Sequence, residues 1–245
     1  MQGTALPHRV QLSPNVGERK GHKRVNMLIL HYTGMSDSTK ACEWLCNAAS
    51  EVSCHYLVDE TGLITQMVDE NLRAWHAGLS SWQDENDINS VSIGIEIQNV
   101  GHGFGYPDFP QTQMLAVSAL CKDICARHAI PAERVLAHSD VAPGRKIDPG
   151  EKFDWEFLHA QGVGHYVRPV PLSGGGFLEL SDRGAAVTAL QELFKHYGYD
   201  IDIKGIFDLR TKVIVEAFQR HFRPARIDGI ADQSTVTTLK RLVNG

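Results

Sequence analysis

Between residues 25 and 139, short strand-like runs alternate with runs whose apolar residues have the spacing of a helix. The helical runs lie at 38 to 50 and 112 to 130, with Ser38 and Thr112 as the predicted caps. The strand-like runs are "VNMLILHY" (25 to 32), "SCHYLVDETGLITQMV" (53 to 68, with a turn at 60 to 62), "SVSIGIEIQNV" (90 to 100) and "ERVLAHS" (133 to 139). This alternation predicts an α/β fold in which helices flank a mixed central β-sheet.

The composition changes at residue 168, where "RPVPLSGGG" brings two prolines and three glycines that neither helix nor strand accommodates well. We therefore predict a first domain over 1–168, a linker over 169–176 and a second domain over 177–245. Amphipathic runs at 183 to 199, 209 to 222 and 232 to 243 predict a small three-helix C-terminal domain. The predicted buried face of its first two helices comprises Val187, Leu190, Leu193, Phe194, Val213, Val215, Phe218 and Phe222.

The charge of the chain argues against several classes of partner. The formal net charge is −5, and Lys and Arg never occur in runs longer than two, so we expect no binding to nucleic acid. No apolar stretch approaches the roughly 20 residues of a membrane-spanning helix. The first residues lack the apolar centre of a signal peptide, which predicts a cytoplasmic protein if Met1 is the native start. The alternative is a periplasmic or cell-envelope protein whose leader has been removed.

Polar side chains occur where the apolar strands end. His31 follows the apolar run that ends at Leu30, His138 ends "RVLAH", and Asp148 lies in the loop "RKIDPG" (145 to 150). Two imidazoles and one carboxylate form a set of ligands that suits Zn²⁺ and leaves a fourth position for water. Taken singly, each residue has an ordinary alternative: a buried or turn histidine, or a charge in a surface turn.

Two further residues have the chemistry that a hydrolytic metal site needs. Glu96 lies in the strictly alternating "SIGIEIQN", on the same strand face as Gly94, which leaves room for a general base. A solvent-facing glutamate on a half-exposed sheet is the alternative. Lys146 precedes Asp148 by two residues, so in an extended loop both side chains point to one side. There the ammonium group could stabilise a developing oxyanion.

The order of the motifs resembles a known family. The segments "LILHYT", "SCHYLVDETG", "AWHAGLSSW", "NSVSIGIEIQN", "AHSDVAPGRKIDPG" and "FDW" follow one another between residues 25 and 160. In them the chain resembles the zinc-dependent N-acetylmuramoyl-L-alanine amidases of type 2, which share a fold with peptidoglycan recognition proteins. The resemblance implies that His31, His138 and Asp148 bind zinc, that Glu96 is the catalytic acid/base and that Lys146 stabilises the transition state.

The resemblance also implies a substrate. Enzymes of this family hydrolyse the amide between N-acetylmuramic acid, or its 1,6-anhydro form, and the L-alanine of peptidoglycan stem peptides, in cell-wall turnover or recycling. We expect Tyr32 and His76 to contact such muramyl peptides, although His76 in "AWHAG" would equally suit a residue that supports a metal ligand. Two alternatives remain at this stage: a module that recognises peptidoglycan without cleaving it, and a zinc hydrolase of another amide.

The C-terminal part resembles a peptidoglycan-binding-type domain less closely. Gly205, Phe207 and Thr211 fit the pattern of that domain, whereas Lys204 and Asp208 depart from it. Wall binding by this domain, the preferred peptide length and the oligomeric state therefore stay open.

Overall fold

The computed structural model describes residues 1–172 and 174–244 of the 245-residue chain. The strands are β1 (Arg9–Val10), β2 (Val16–Gly17), β3 (Met27–Tyr32), β4 (Tyr56–Val58), β5 (Ile64–Gln66), β6 (Arg73–Ala74), β7 (Ser92–Ile97) and β8 (Val135–Ala137). A six-stranded sheet with strand order β1-β5-β4-β7-β3-β8 forms the centre of the fold, and a two-stranded sheet pairs β2 with β6. The α-helices are α1 (Ser38–Leu45), α2 (Ile88–Val91), α3 (Gln111–His128), α4 (His138–Val141), α5 (Trp155–Ala160), α6 (Ala185–Tyr197), α7 (Leu209–Phe222) and α8 (Gln233–Asn244).

The predicted α/β class with a mixed sheet is confirmed. Strand β3 pairs in parallel with β7 and β8, and β4 pairs in parallel with β7 but antiparallel with β5. A parallel strand needs a crossover connection, and the predicted helical run at 112 to 130 supplies one of these as α3. No helix in the described part of the chain combines the length and hydropathy that crossing a membrane requires.

The two faces of β3 have different neighbours. Leu28 and Leu30 pack with the isoleucines of β7 and with α3 and α5 in one apolar cluster. Met27 and Ile29 point to the other face, where they join a cluster formed largely by α6, α7 and α8. Because side chains alternate along a strand, His31 continues the same face as Met27 and Ile29. The C-terminal helices and the candidate site therefore occupy one side of the sheet.

The N-terminal caps of two helices differ from those predicted. Asp37, not Ser38, caps α1 by accepting a 2.9 Å hydrogen bond from the backbone N–H of Lys40. Helix α3 begins at Gln111 after Pro110, so Thr112 lies inside the first turn instead of capping it. The prediction placed each cap at a Ser or Thr, and a neighbouring residue with the required extended backbone precedes the helix in both cases.

The three predicted C-terminal helices are present, with small changes in their buried faces. Ile214 and Val215 are buried in α7, whereas Val213 is partly exposed and faces the loop at Gly144. Leu193 of α6 packs at the edge of the cluster and is only partly buried. The predicted linker over 169–176 includes Ser173, which lies outside the described residues, as does Gly245 at the end of the predicted second domain. The division into domains stays a prediction.

An internal repeat in the C-terminal part explains why Asp208 departs from the pattern of the peptidoglycan-binding-type domain. The segments "KGIFDLRT" (204 to 211) and "DGIADQST" (228 to 235) have the same local structure. In the first, Asp208 caps α7 through the N–H of Thr211, and the Gln191 side chain accepts bonds from the N–H groups of Lys204 and Gly205. In the second, Gln219 and Asp232 make the equivalent contacts. Asp208 therefore serves as a helix cap, where an aspartate is favoured.

Candidate metal centre

The ends of three neighbouring strands bring the candidate residues together. In the parallel β3/β7 ladder, His31 lies opposite Glu96, so the two side chains project from the same face. On the other side of β3, Ala137 of β8 pairs with Leu30, and His138 follows it directly. His138 does not end the strand as predicted; it opens the short helix α4. The carboxyl ends of parallel strands share one edge of a sheet, and this places the three side chains side by side.

The loop after α4 returns Asp148 to the same place. Its backbone carbonyl accepts a 3.0 Å hydrogen bond from the N–H of Ser139, the residue after His138. Beyond it, the hydroxyl of Tyr106 donates a 2.7 Å bond to the carbonyl of Pro149 and accepts one from the N–H of Lys152. A side chain at Gly150, whose φ is +85°, would collide with that hydroxyl. Tyr106 thus fastens the loop, a role the sequence did not suggest.

Three potential ligand atoms converge at this position. His31 Nδ1 lies 2.9 Å from His138 Nδ1 and 3.1 Å from Asp148 Oδ2, and His138 Nδ1 lies 3.0 Å from that same oxygen. All three side chains are buried. Ligand atoms bound to one zinc ion at tetrahedral angles are separated by about 3.3 Å, close to these distances.

The hydrogen bonding and charge of the His31 and His138 rings show why a cation suits the point where the three ligand atoms converge. His138 Nε2 lies 3.0 Å from the carbonyl oxygen of Ala77, which can only accept, so Nε2 donates there and Nδ1 is the atom that faces Asp148 and His31. Burial, followed by the nearby His138, lowers the pKa of His31 to about 4, so this imidazole is neutral near pH 7. A cation between the two Nδ1 atoms and the carboxylate oxygen would attract all three, which lie about 3 Å from one another. The residues therefore fit a divalent metal such as Zn²⁺.

The charge of Asp148 is favoured by its two neighbours. Burial by itself raises the pKa of Asp148, but the contacts with His138 and then His31 outweigh it and hold that pKa well below its usual range. The carboxylate is therefore ionised, which is the form that binds a metal.

Glu96 lies beside the three ligands with one oxygen uncommitted. Its Oε2 is shut off from solvent and has no hydrogen-bond partner among the described residues. Burial, with Asp148 as the second cause, raises the pKa of Glu96 well above its usual value, and Lys146 opposes the shift. A buried carboxylate with a raised pKa suits a group that accepts and returns a proton.

A cleft of about 350 Å³ opens onto this group of residues. Glu96 and Lys146 line it together with the three ligands, and Trp44, Val52 and Met35 supply an apolar part of the wall. Trp75, Tyr32 and His76 also border it. The Tyr32 hydroxyl lies 3.1 Å from Nδ1 of His102, which in turn contacts Glu151, so Tyr32 is held at the rim. The predicted contacts of Tyr32 and His76 with a substrate stay predictions.

The space beside Gly94 is used differently from what the sequence suggested. The expectation was room for catalysis above Glu96, but the ring of His76 fills it: a Cβ at Gly94 would lie 2.5 Å from that ring. His76 is 9% exposed, and its Nδ1 lies 3.0 Å from Nε2 of His31. Most of His76 therefore lies behind a ligand instead of facing the cleft.

Comparisons with known proteins agree with this site. The family described as "N-acetylmuramoyl-L-alanine amidase" matches residues 21–151, and the family described as "Putative peptidoglycan binding domain" matches residues 183–239. The N-acetylmuramoyl-L-alanine amidase AmiD of Escherichia coli (strain K12) is 34% identical over 249 residues, which cover 95% of this chain and 87% of that protein.

Two solved structures are similar over nearly the full length. The complex of AmiD from Escherichia coli with the substrate anhydro-N-acetylmuramic acid-L-Ala-D-γ-Glu-L-Lys superposes with a TM-score of 0.77 at 33% identity, covering 94% of this chain and 97% of that one. AmpDh3 from Pseudomonas aeruginosa in complex with anhydromuramic pentapeptide gives a TM-score of 0.72 at 30% identity, with 94% and 93% covered.

Proposed function

The chain belongs to the N-acetylmuramoyl-L-alanine amidase family, and on that premise we propose that it uses Zn²⁺ held by His31, His138 and Asp148. Its reaction is hydrolysis of the amide between the muramic acid lactyl group and the L-alanine of a muramyl peptide, in cell-wall recycling. The similar proteins were solved with anhydromuramyl peptides, which supports the 1,6-anhydro form as a substrate beside ordinary N-acetylmuramic acid.

The observation that carries the proposal is the convergence of three ligand atoms beside Glu96, whose Oε2 has no hydrogen-bond partner in the part of the chain that the structure describes. His31, His138 and Asp148 would hold the cation, and the cleft opens onto the same three residues. When bound, Zn²⁺ supplies Lewis-acid polarisation of water and of the scissile carbonyl. A recognition module without activity would not need Glu96 and Lys146 at the same cleft, so catalysis is favoured over binding alone.

The protein's own groups move the protons and balance the charge. Glu96 Oε2 accepts a proton from the attacking water and later returns it to the leaving amine of L-alanine. Lys146 offers its ammonium group to the carbonyl oxygen as that atom gains negative charge. Aromatic and aliphatic side chains around Trp44 exclude water from one side of the substrate, which strengthens both effects.

The test is hydrolysis of defined muramyl peptides by the purified full-length protein. Anhydro- and ordinary N-acetylmuramyl tripeptides are incubated with metal-loaded protein, with protein treated with a chelator, and with chelated protein to which Zn²⁺ is returned. We expect mass spectrometry to show free sugar and free peptide in the first and third samples only. Intact substrate in the zinc-loaded sample would contradict the proposed amidase activity. Cleavage that survives complete removal of the metal would contradict the proposed dependence of that activity on Zn²⁺.

A further inference from the structure

Two consecutive residues, His76 and Ala77, contact the far ring nitrogens of both histidine ligands. His76 Nδ1 lies 3.0 Å from His31 Nε2, and the Ala77 carbonyl oxygen lies 3.0 Å from His138 Nε2. An imidazole that donates through Nε2 keeps a bare Nδ1, which is the atom that faces the metal position in both ligands. The question is what sets the direction of these hydrogen bonds.

For His31 the direction follows from a chain of three bonds that ends at a carbonyl. The Ser92 hydroxyl donates to the carbonyl oxygen of Ile88 at 2.6 Å, which uses its single proton. Ser92 Oγ must therefore accept the 3.1 Å bond from His76 Nε2–H. The same ring then offers Nδ1 to His31. When Nδ1 of His31 binds the cation, its Nε2 carries the proton and donates the 3.0 Å bond to His76 Nδ1.

For His138 the direction is set by the backbone alone. The Ala77 carbonyl accepts from His138 Nε2–H and also from the guanidinium of Arg145. Arg145 donates a further 2.9 Å bond to the carbonyl of Leu79, so it holds this loop from outside. A carbonyl oxygen offers two lone pairs, which is enough for both donors.

A single side chain fixes the loop that carries both contacts. Asn89 Oδ1 accepts hydrogen bonds from the N–H groups of His76, at 3.0 Å, and Ala77, at 2.8 Å. Asn89 and Ser92 both belong to "NSVS" (89 to 92), at the junction of α2 and β7. Gly94, two residues further, leaves the space that the His76 ring occupies. The segment from the end of α2 into the start of β7 therefore controls the orientation of both rings.

We propose that His76, Ser92 and Asn89 are positioning residues that hold both histidine ligands with Nε2 donating to the protein and Nδ1 facing the metal. The proposal rests on the metal site of the proposed function and concerns the hydrogen bonds on the side of each ring that faces away from the metal. Those bonds fix the orientation of both rings, so less free energy is spent on ordering them when the cation binds.

The first test follows the ring N–H groups in the zinc-loaded, full-length protein. In ¹H–¹⁵N spectra we expect slowly exchanging Nε2–H signals for His31, His76 and His138. In Ser92→Ala the acceptor for His76 Nε2–H is lost, so we expect this proton to exchange faster with water while the Nε2–H of His138 is unchanged. Ser118→Ala is the matched control, because Ser118 is also buried and its hydroxyl bonds to the carbonyl of Leu115 within α3. Unchanged exchange of the His76 Nε2–H in Ser92→Ala would overturn the proposal.

The second test measures Zn²⁺ affinity by competition with a chromophoric chelator. Loss of such a supporting contact typically weakens metal binding by about 10- to 100-fold, and we expect this for Ser92→Ala but not for Ser118→Ala. His76→Asn retains an oxygen near the Nδ1 position, so it should bind Zn²⁺ more tightly than His76→Ala. Equal affinity of His76→Asn and His76→Ala, at equal melting temperature, would show that His76 only fills space. Neither readout needs the amidase reaction, so a failure here is distinct from a failure of the proposed function.

Discussion

The hydroxyl of Tyr199, in the C-terminal part, donates a 2.8 Å hydrogen bond to Oδ1 of Asp140, two residues beyond the ligand His138. The other oxygen, Oδ2, accepts from the N–H of Ala137 at 2.8 Å and contacts Nδ1 of His221 at 2.7 Å. Asp140 is 1% exposed, so these bonds lie in the interior. The C-terminal helices thus hold α4, and with it the backbone that carries a metal ligand.

The interface around Tyr199 leads us to expect one cooperative unfolding transition for the whole chain. Trp82, from the N-terminal part, is fully buried against the rings of Tyr197 and Tyr199. Each large apolar side chain buried in this way contributes about 1.5–3 kcal/mol. Separating the two parts would expose that cluster together with Met27 and Ile29. Scanning calorimetry of the full-length protein should give a single peak, and two resolved peaks would contradict a shared core.

Replacing Tyr199 by Phe should lower the stability without unfolding the protein. The substitution leaves one oxygen of the buried Asp140 without its donor, which typically costs about 1–3 kcal/mol in the free energy of unfolding. Urea denaturation at pH 7 measures it. Tyr166→Phe is the control, because that ring is only partly buried. A loss no larger than that of the control would show that the Tyr199–Asp140 bond adds nothing.

Glu96→Gln should remove most of the activity and leave the metal in place. Glutamine has nearly the same shape but accepts no proton, and loss of a general base typically lowers kcat by about 10²- to 10⁴-fold. Kinetics on an anhydromuramyl peptide, with zinc content measured in the same preparation, tests this expectation. Glu60→Gln, in an exposed turn, serves as the matched control. A kcat within a few-fold of the parent protein would mean that another group accepts the proton.

Lys146→Met should lower kcat more than it changes KM. The methionine keeps the length of the aliphatic stem but removes the charge that faces the developing oxyanion, and such losses typically cost about 10²- to 10³-fold. Lys152→Met, which removes a surface lysine paired with Asp108, is the comparison variant. If KM rises while kcat is unchanged, Lys146 binds the substrate and does not stabilise the transition state.

Glu70 should make stability depend on pH in the acid range. Burial by itself raises the pKa of this fully buried carboxyl, but its contacts with Arg127, His128 and Tyr56 outweigh it and hold the pKa far below its usual range. A lowered folded-state pKa adds stability above the unfolded value of about 4.3, and that stability is lost progressively as the pH falls below it.

Glu70→Gln removes this contribution at neutral pH. Breaking such a buried ion pair typically costs about 3–5 kcal/mol, so we expect a loss of this size at pH 7 that shrinks as the pH falls toward 3. Denaturation curves across this range measure it, with Glu192→Gln on the exposed face of α6 as the control. A difference that stays constant with pH would show that the charge of Glu70 is not responsible.

The compartment in which the protein works stays a prediction from the sequence. Fractionation of the native host, followed by detection of the full-length chain, would distinguish the cytoplasmic expectation from the envelope alternative.

The sequence by itself determined the fold class and the types of residue at the site. The apolar run of β3, the alternation in β7 and the helical spacing of the C-terminal segments identified these elements, because burial imposes a characteristic apolar pattern on each kind of element. Two histidines at strand ends, an aspartate in a loop and a glutamate within a strand indicated a hydrolytic metal site, because few other side chains bind zinc or accept a proton. These signals are local and depend on the identity of the side chain.

Only the tertiary structure decided which groups support the site. The Ala77 carbonyl that orients His138 belongs to the backbone, and every residue has one, so no sequence pattern marks it. Ser92 supports the site because its hydroxyl proton is donated to the Ile88 carbonyl, which leaves its oxygen to accept from His76. Gly94 supports it because the missing side chain leaves the space that the His76 ring fills. Tyr199 and Asp140 are 59 residues apart along the chain, and only the packing of the helices on the sheet brings them into contact. Such roles depend on hydrogen-bond direction and on long-range packing, neither of which residue type alone specifies.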